Sequence, residues 1–418
     1  MNVLLKNVTI VATNNKDLHL KKRDILIKNG VIDKIASIIK TPEKTKTIEY
    51  KNLHVSVGWF DSSISFGEPG FEERETIANG LKVAAKSGFT DVVLNPNGYP
   101  VPDSSSDIIF LKNAAKNQVT DLHPMGTLTV KAEGNKLAEL FDMKNSGAVA
   151  FYDFKHPIQN SNLLKIALQY AQNFNGLVCS FPMNVQIAGK GQVHEGEIST
   201  KMGLKGIPSL AEELQITRDL FILEYAGGKL HIPTISTAKS VKLIAEAKKK
   251  GLDVTCSVAI HNLNFTDDKL NEYDTNFKVM PPLRTQKDVK ALQKGLKDGN
   301  IDFVTSDHTP MNIEEKRVEF DNAAFGTIGL ESAFGTLNQI FGLETTVEIL
   351  TRGRERFQLK VPEIKAGSIA SLTLFDANAT LLFEEQIIHS TSKNSMFVKQ
   401  NLKGKVFGTI HGKQSILL

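Results

Sequence analysis

Short runs of alternating apolar and polar residues occupy both ends of the chain. The first 55 residues contain NVLLKNVTIVA, RDILIKNGVIDKIAS and TKTIEYKNLHVSV, and the last 50 contain SIASLTLFDA, SMFVKQ and GKVFGTIHGKQSILL. A period of two predicts β-strands, and Asn29-Gly30 between two such runs predicts a hairpin turn. Because both ends share this pattern, we predict one small β-domain built from residues 1–55 and 366–418.

The middle of the chain, residues 56–365, alternates helical and strand patterns. In the helical runs apolar residues recur every three to four positions, and each run precedes a short β-rich segment. The pairs are TIANGLKVAAKSG with TDVVLNP, LLKIALQYAQNFNG with LVCSF, TAKSVKLIAEAKKKG with LDVTCSVAIH, and QKDVKALQKGLKDGN with IDFVTSD. Repeated helix–strand units predict an α/β fold with a parallel sheet, and their number favours a closed (β/α)8 barrel of the TIM type.

Chemistry in such a barrel is expected at the C-terminal ends of its strands. One strand end reads FDSSISFGEPG, in which Ser63 and Ser65 lie two residues apart and therefore point to the same side of a strand. The segment from Gly67 to Gly70 then breaks the strand into a loop. The other predicted strand ends are LNPNG, AFYDF, CSFPMN, HIPTIST, SVAIHNL and FVTSDHTP.

Composition narrows the possible partners and compartments. The 418 residues are 41% hydrophobic and 23% charged, as in water-soluble globular proteins, and the formal net charge is +4. This small, scattered positive charge argues against nucleic-acid binding, and the chain lacks the run of about 18 apolar residues that would predict a membrane span. Because Cys179 and Cys256 are the only cysteines and the start has no apolar signal core, we expect a reduced, cytoplasmic protein.

Four long motifs along the chain are GEPGFEERETIANGLKVAAKSGFTDVVLNPNGYPVPDS, GKGQVHEGEISTKMGLKGIPSLAEE, VMPPLRTQKD and TSDHTPMNIEEK. In sequence and in order they resemble dihydroorotase, a member of the amidohydrolase superfamily. The resemblance implies a (β/α)8 barrel with a small β-sandwich from both termini, which agrees with the hydrophobic pattern. It also implies the interconversion of carbamoyl-aspartate and dihydroorotate in pyrimidine synthesis, with one or two zinc ions.

The resemblance also indicates which metal ligands this chain has lost. The two histidines of the family's Asp-x-His-x-His strand fall on Ser63 and Ser65, the next histidine falls on Phe181, and the histidine that opens the HIST motif falls on Thr234. The aspartate ligand is retained as Asp153. Four histidine ligands are therefore replaced by residues outside the His, Cys and carboxylate set that zinc prefers.

The substrate contacts implied by the resemblance are only partly retained. Asn97 and Arg284 match the family, and His308 follows Asp307, which matches the catalytic aspartate. Three further implied contacts are substituted, and they are Gly67, Met280 and Met311. We expect the two methionines, together with Phe181, to fill the space that metal and substrate take in the family.

The remaining polar residues make a poor zinc site. Zinc prefers about four ligands, whereas Asp153 and Asp307 supply only two carboxylates. We therefore expect no metal cofactor, and zinc only if the chain has an atypical centre. Asp307 is interpreted as a relic or a weak base, or as a carboxylate paired with His308 or a backbone amide. Ser63 and Ser65 lack the G-x-S-x-G turn that would mark a nucleophile.

Three functions remain open. The first is a metal-ligand-depleted, inactive homologue that forms a homodimer and is a structural or regulatory partner of aspartate transcarbamoylase, as the resemblance implies for inactive dihydroorotase-like chains. The second is an active dihydroorotase or related cyclic amidohydrolase with an atypical metal centre. The third is a sensor that binds a pyrimidine-pathway intermediate through Asn97, Arg284 and nearby backbone groups.

Overall fold

The two termini combine in one mixed β-sheet. The computed structural model describes residues 2–418, and within them this sheet has eight strands. Their bounds are Asn2–Ile10, Lys22–Lys28, Val31–Ala36, Lys46–Ile48, His54–Val57, Ser371–Leu382, Asn401–His411 and Gln414–Leu417. The strand Ser371–Leu382 pairs antiparallel with His54–Val57, which pairs parallel with Asn2–Ile10. The C-terminal strands are thus hydrogen-bonded directly to the N-terminal ones, which confirms the predicted β-domain.

Parallel strands and one bridge segment form a closed barrel. The strands are Trp59–Ile64, Phe89–Leu94, Asp121–Pro124, Leu177–Cys179, Lys229–Ile232, Val254–Ala259 and Phe303–Thr305. Between the third and fourth of them, Phe151 forms a bridge to Gly126 on one side and to Val178 on the other. A bridge between Ile64 and His308 joins the last strand to the first. Phe151 therefore completes eight barrel positions, and the predicted TIM-type barrel is confirmed.

Helices follow the barrel strands and cover the outside of the barrel. The longer ones are Ile77–Lys86, Ser105–Ala114, Leu140–Ser146, Ser161–Ala171, Ser209–Ala226, Ala238–Lys249, Gln286–Lys297, Leu330–Phe341 and Leu343–Thr351. Short helices are Val185–Ala188, Glu197–Met202, Ile260–Asn264 and Ile313–Lys316. The hydroxyl of Thr76 caps the first helix by accepting a hydrogen bond from the Asn79 N–H. None of the helices in residues 2–418 has the length and apolar run needed to cross a bilayer.

Most buried apolar side chains belong to three clusters. The β-domain has its own core, which includes Leu5, Ile25 and Leu372. A second cluster lies between the barrel strands and the helices. The third fills the barrel interior, and its members include Phe60, Tyr152, Cys179, Phe181, Met280, Phe303 and Phe357. The barrel is therefore a packed core, and functional groups are confined to its ends.

Two local predictions at the ends of the chain have different outcomes. Asn29 and Gly30 have φ angles of 51° and 82° between two antiparallel strands, so the hairpin turn is confirmed. The run SMFVKQ was expected to be a strand, but residues 396–399 form a turn. Phe397 in this turn is buried and packs on Phe265, with ring centroids 5.1 Å apart. Tertiary packing therefore overrides the local strand pattern at this place.

The change from β-domain to barrel falls within a few residues of the first predicted boundary. His54–Val57 belongs to the terminal sheet, and the first barrel strand begins at Trp59. On the C-terminal side, Ile364 packs in the core of the β-domain. The domain boundaries themselves, after residues 55 and 365, stay a prediction.

Candidate functional site

Ser63 and Ser65 are tied together by one amide side chain. Asn95 follows the neighbouring strand; its Oδ1 accepts a hydrogen bond from the Ser63 hydroxyl at 3.1 Å, and its Nδ2 donates to the Ser65 hydroxyl at 3.0 Å. All three side chains are buried. The two serines therefore point to the same side of their strand. Asn95 provides a hydrogen-bond partner for both hydroxyls and so fixes the first two barrel strands against each other.

Asp61 joins the first barrel strand to the last. Its carboxylate accepts hydrogen bonds from the Thr305 hydroxyl at 2.5 Å, the Ser306 N–H at 2.9 Å and the Ser63 N–H at 3.1 Å. Burial raises the pKa of Asp61, and the hydrogen bonds from Ser306 and Thr305 oppose that shift. The hydrogen bonds of this carboxylate therefore hold the first and last strands of the barrel together.

Asp153 is buried and holds the loop after the third barrel strand. One oxygen accepts hydrogen bonds from the N–H groups of Leu128 and Thr129, at 2.8 and 2.9 Å, and the other accepts one from the Thr129 hydroxyl. Burial raises the pKa of Asp153, and the hydrogen bonds from Thr129 and Leu128 oppose the rise. Both oxygens thus have partners within the chain.

Asp307 is paired with Lys155, so the predicted pairing with His308 or a backbone amide is wrong. The Lys155 Nζ lies 3.0 Å from Oδ2 of Asp307, and Oδ1 has no hydrogen-bond partner within residues 2–418. Burial raises the pKa of the Asp307 carboxyl, and the Lys155 ammonium opposes this. Asp307 also has a φ of 46°, a strained region for a residue other than glycine. The Lys155 ammonium is a stronger partner for Asp307 than a neutral histidine or an amide, because it brings a full positive charge to a buried carboxylate.

Two histidines at strand ends are buried and neutral. His308 accepts a hydrogen bond from the Gly329 N–H through Nδ1 at 3.3 Å, and its Nε2 has no partner in the described chain. Neither ring nitrogen of His261 has a partner among residues 2–418. Burial lowers the pKa of each histidine to about 3, and the Lys155 charge adds to the shift at His261. At neutral pH both rings therefore carry no charge.

The other substituted positions carry apolar or small side chains. Phe181 and Met280 are buried in the cluster that fills the barrel interior. Thr234 is buried with a φ of 49°, an outlier for a β-branched residue, and its hydroxyl has no partner within residues 2–418. Met311 is half-buried and lies outside that cluster, with its N–H donating to the Asn394 side chain at 3.1 Å. Phe181 and Met280 therefore fill the barrel interior as expected, whereas Met311 does not.

The retained polar residues form hydrogen bonds within the chain. The Asn97 side chain donates to the Phe66 carbonyl at 2.9 Å. The Arg284 guanidinium is 2% exposed and donates to two segments of the barrel mouth, residues 193–207 and the loop that contains Ser236. Its acceptors are Ser236 Oγ at 3.0 Å, His194 Nδ1 at 3.0 Å and the Ile207 carbonyl at 2.8 Å. Within residues 2–418, Asn97, Arg284 and His308 share no hydrogen-bond partner, and their role in substrate binding stays a prediction.

The loop after the first barrel strand leaves no room for a side chain at position 67. A Cβ atom on Gly67 would lie 1.7 Å from the Phe71 carbonyl oxygen and 3.1 Å from the Arg74 Cβ. The Phe71 N–H also donates to the Gly67 carbonyl at 2.8 Å, which holds the loop in this tight form. An arginine at this position, as the resemblance implies for the family, would require the backbone to move.

These contacts do not fit a resident zinc ion. Within residues 2–418 there is no group of three or more His, Cys, Asp or Glu side chains that could hold a metal ion. The carboxylates of Asp61 and Asp153 accept hydrogen bonds from their own chain, and Asp307 faces an ammonium group. Zinc prefers about four ligands of these types, so the donor set does not match a zinc site.

Comparison with known proteins decides the family. The Dihydro-orotase-like family model matches residues 54–240. A protein named dihydroorotase from Geobacter metallireducens is 38% identical over 93% of this chain and 93% of its own length. The chain belongs to the dihydroorotase family. A second dihydroorotase, from Pelotomaculum thermopropionicum, is 36% identical over 100% of this chain and 99% of its own length.

Solved structures agree with the fold of this dihydroorotase-family chain. L-hydantoinase (dihydropyrimidinase) from Arthrobacter aurescens aligns with a TM-score of 0.85 and 21% identity, over 100% of this chain and 96% of that one. A D-hydantoinase structure aligns with a TM-score of 0.83 and 21% identity, over 100% and 95%. At this level of identity the likeness shows the fold alone.

Two residues of this dihydroorotase-family barrel were missed by sequence reasoning. Asn95 is a polar residue directly after the apolar run VVL, and Lys155 is a charged residue directly after the predicted strand end AFYDF. A polar or charged residue immediately after a barrel strand is the only signal that the sequence offers for either position. Their partners become visible only when the strands are placed around the barrel.

Proposed function

We propose that this chain is a non-catalytic dihydroorotase-family protein of pyrimidine biosynthesis, located in the cytoplasm, whose role is to bind a partner. The observation that carries the proposal is the use of the barrel-mouth carboxylates by the chain itself. Asp153 accepts hydrogen bonds from Leu128 and Thr129, and Asp307 is paired with Lys155. Opening a cyclic amide needs a polarised carbonyl and a nucleophile active near neutral pH, which zinc supplies when it is bound. The retained carboxylates are not arranged to hold it.

General-base catalysis by the remaining groups is also disfavoured. A base works best when its pKa is near the working pH, whereas burial holds the pKa values of His261 and His308 at about 3. Asp307 keeps Oδ1 free within residues 2–418, but the Lys155 ammonium on Oδ2 stabilises its charged form and so weakens it as a base. Among these groups, Asp307 is therefore at most a weak base, because its charge is balanced by Lys155.

The loops above the barrel mouth support a binding role. Residues 185–207 include two short helices and the paired short strands Val193–His194 and Gly206–Ile207, and Arg284 contacts both strands. An ordered surface over a site without chemistry is best explained by something that binds there. On the family resemblance we propose aspartate transcarbamoylase as that partner, together with assembly of this chain into a homodimer.

A sensor of a pyrimidine-pathway intermediate is the second candidate. Within residues 2–418, buried atoms without hydrogen-bond partners include the Thr234 hydroxyl, both ring nitrogens of His261 and Oδ1 of Asp307. Buried polar atoms almost always have a partner. A small polar ligand at the mouth would satisfy them, which is the observation that favours this candidate.

Metal analysis and a dihydroorotase assay on the pure protein test the loss of catalysis. We expect less than about one-tenth equivalent of zinc after dialysis without chelator, because only Asp153 and Asp307 of the ligand set remain. We also expect no hydrolysis of dihydroorotate above background, with a histidine-complete dihydroorotase purified in the same way as the positive control. Near-stoichiometric zinc together with turnover would support an active enzyme with an atypical centre.

The double variant Ser63→His/Ser65→His is the internal control for that assay. Two imidazoles would break the hydrogen bonds to Asn95. The other two implied histidine ligands would still be missing, because their positions are Phe181 and Thr234. We therefore expect no turnover from this variant. Zinc-dependent turnover would mean that other residues complete the ligand set.

Co-expression with aspartate transcarbamoylase tests the partner. We expect the two proteins to elute together in size-exclusion chromatography with light scattering at micromolar concentration. A complex that is stable under these conditions would bury about 1,000 Å² or more of total surface. Deleting the gene for this chain is expected to lower transcarbamoylase activity. Separate elution with unchanged transcarbamoylase activity would rule out the scaffold role and favour the sensor.

A further inference from the structure

Lys155 reaches across the barrel mouth to Asp307. It lies four residues after Phe151, the bridge residue of the fourth barrel position, whereas Asp307 follows the last barrel strand, Phe303–Thr305. The Lys155 Nζ and the Asp307 Oδ2 are 3.0 Å apart, and the two side chains are 16% and 3% exposed. The ion pair thus spans the interior of the barrel between residues 152 positions apart in sequence.

Asp307 needs a cation at this place, and among residues 2–418 its neighbours supply none besides Lys155. A buried charge without a partner is far more costly than the gain from a typical surface ion pair. Burial lowers the pKa of His261 to about 3 and raises the pKa of Tyr152, so both are neutral at pH 7. Asp153 supplies no positive charge, and its carboxyl group is engaged by Thr129. The Lys155 ammonium is therefore the group that balances the Asp307 charge.

We propose that the Lys155 ammonium is the fixed cation of this barrel mouth, at the level where the family resemblance implies a metal ion. The chain then folds completely without metal. A divalent cation would have to displace the ammonium from Asp307, and within residues 2–418 it would find no cluster of three ligands to hold it. The inference does not depend on which partner or ligand the protein binds.

Thermal unfolding of variants at the two positions tests this inference. We expect Lys155→Met to lower the midpoint by about 5 °C or more, because it leaves a buried carboxylate unpaired. Lys155→Arg keeps a cation and should retain most of the stability. Asp307→Asn should cost less than Lys155→Met, because the freed ammonium can reach solvent. The double variant Lys155→Met/Asp307→Asn should recover more than half of the loss, since no charge then stays buried.

The controls separate an internal cation from a bound metal. Lys116→Met removes an exposed ammonium and should leave the midpoint within about 1 °C of wild type. EDTA should not lower the wild-type midpoint, and added zinc should not raise it. The inference is overturned if Lys155→Met behaves like Lys116→Met, or if EDTA destabilises the wild type as much as Lys155→Met does.

If the Lys155→Met protein does not fold, the other variants still test the inference. Recovery of folded protein on adding Asp307→Asn, or with Lys155→Arg alone, would support the ion pair as the cause. If the double variant and Lys155→Arg are both as unstable as Lys155→Met, the charge of Lys155 is not what Asp307 requires, and the inference is wrong.

Discussion

Replacing Arg354 with methionine is expected to lower the free energy of unfolding by about 3–5 kcal/mol. The Arg354 guanidinium is fully buried at the end of the barrel opposite the mouth, and its Nη2 lies 2.8 Å from the Asp91 carboxylate. The same nitrogen donates to the carbonyls of Gly58 and Trp59, at 2.8 and 3.1 Å. Methionine would leave the Asp91 carboxylate, which is 13% exposed, and two buried carbonyls without this donor, and urea unfolding measures the loss.

The pH dependence of that loss identifies its cause. Burial raises the pKa of Asp91, but the hydrogen bond from His123 and the charge of Arg354 lower it more, so the pKa lies below its ordinary value. A carboxyl with a lowered pKa stabilises the fold above its unfolded pKa, about 3.9, and loses that contribution as pH falls through the folded value. The difference between wild type and Arg354→Met should therefore shrink mainly as the pH is lowered below about 4.

Arg352→Met is the matched control for this substitution. Arg352 lies two residues away but forms an ion pair with Glu348 on the surface of a helix, with side chains 25% and 50% exposed. Pairs of this kind contribute about 0.3–0.5 kcal/mol. Equal losses from Arg352→Met and Arg354→Met, or a loss at Arg354 that is the same at every pH, would contradict the buried ion pair as the cause.

The hydrophobic pattern predicted the architecture because helices and strands of this fold bury their side chains in different, recognisable patterns along the sequence. The helix Ala238–Lys249 buries only the residues of one face, whereas the strand that follows, Val254–Ala259, is buried along most of its length. A strand end was also predicted at AFYDF, where Phe151 completes the barrel by two isolated bridges instead of a full strand. The pattern also misled at Phe397, because side-chain packing decides the conformation there.

The sequence located the substituted ligands but not what replaces them. Ser63 and Ser65 follow from a spacing of two on one strand, which fixes their direction. The contacts that they make depend on Asn95 from the neighbouring strand, and the contact of Asp307 depends on Lys155 from the opposite side of the barrel. Whether two side chains meet across a barrel depends on their reach and on the packing between them, which local spacing does not encode.

The helix Ser209–Ala226 carries an apolar stripe that the chain leaves exposed. Its members and their exposed fractions are Leu210 at 52%, Leu214 at 43%, Phe221 at 69% and Tyr225 at 78%. At 100° per residue these four side chains lie within about 60° of one another around the helix, along about 22 Å of its length. Exposed apolar patches of this kind mark interaction sites.

A second copy of this chain is the partner that we propose for the stripe. Beside Phe221 lies a groove of about 110 Å³, which Leu220, Leu243 and Leu252 also line. A two-fold interface joins the same patch of both copies, so one surface must offer both a projection and a recess. In the proposed dimer the exposed ring of Tyr225 would be the projection, and the groove beside Phe221 would be the recess.

Phe221→Asp/Tyr225→Asp is therefore expected to convert a dimer into a monomer. Light scattering should give twice the 46.0 kDa chain mass for wild type and a single chain mass for the variant at the same micromolar concentration. Two carboxylates at the centre of an apolar interface would lose their hydration without gaining a partner. Ile38→Asp is the control, because Ile38 is 84% exposed in the β-domain and away from the stripe, so this variant should stay dimeric. A monomeric wild type, or a stripe variant that remains dimeric with an unchanged melting curve, would show that this face does not join two copies.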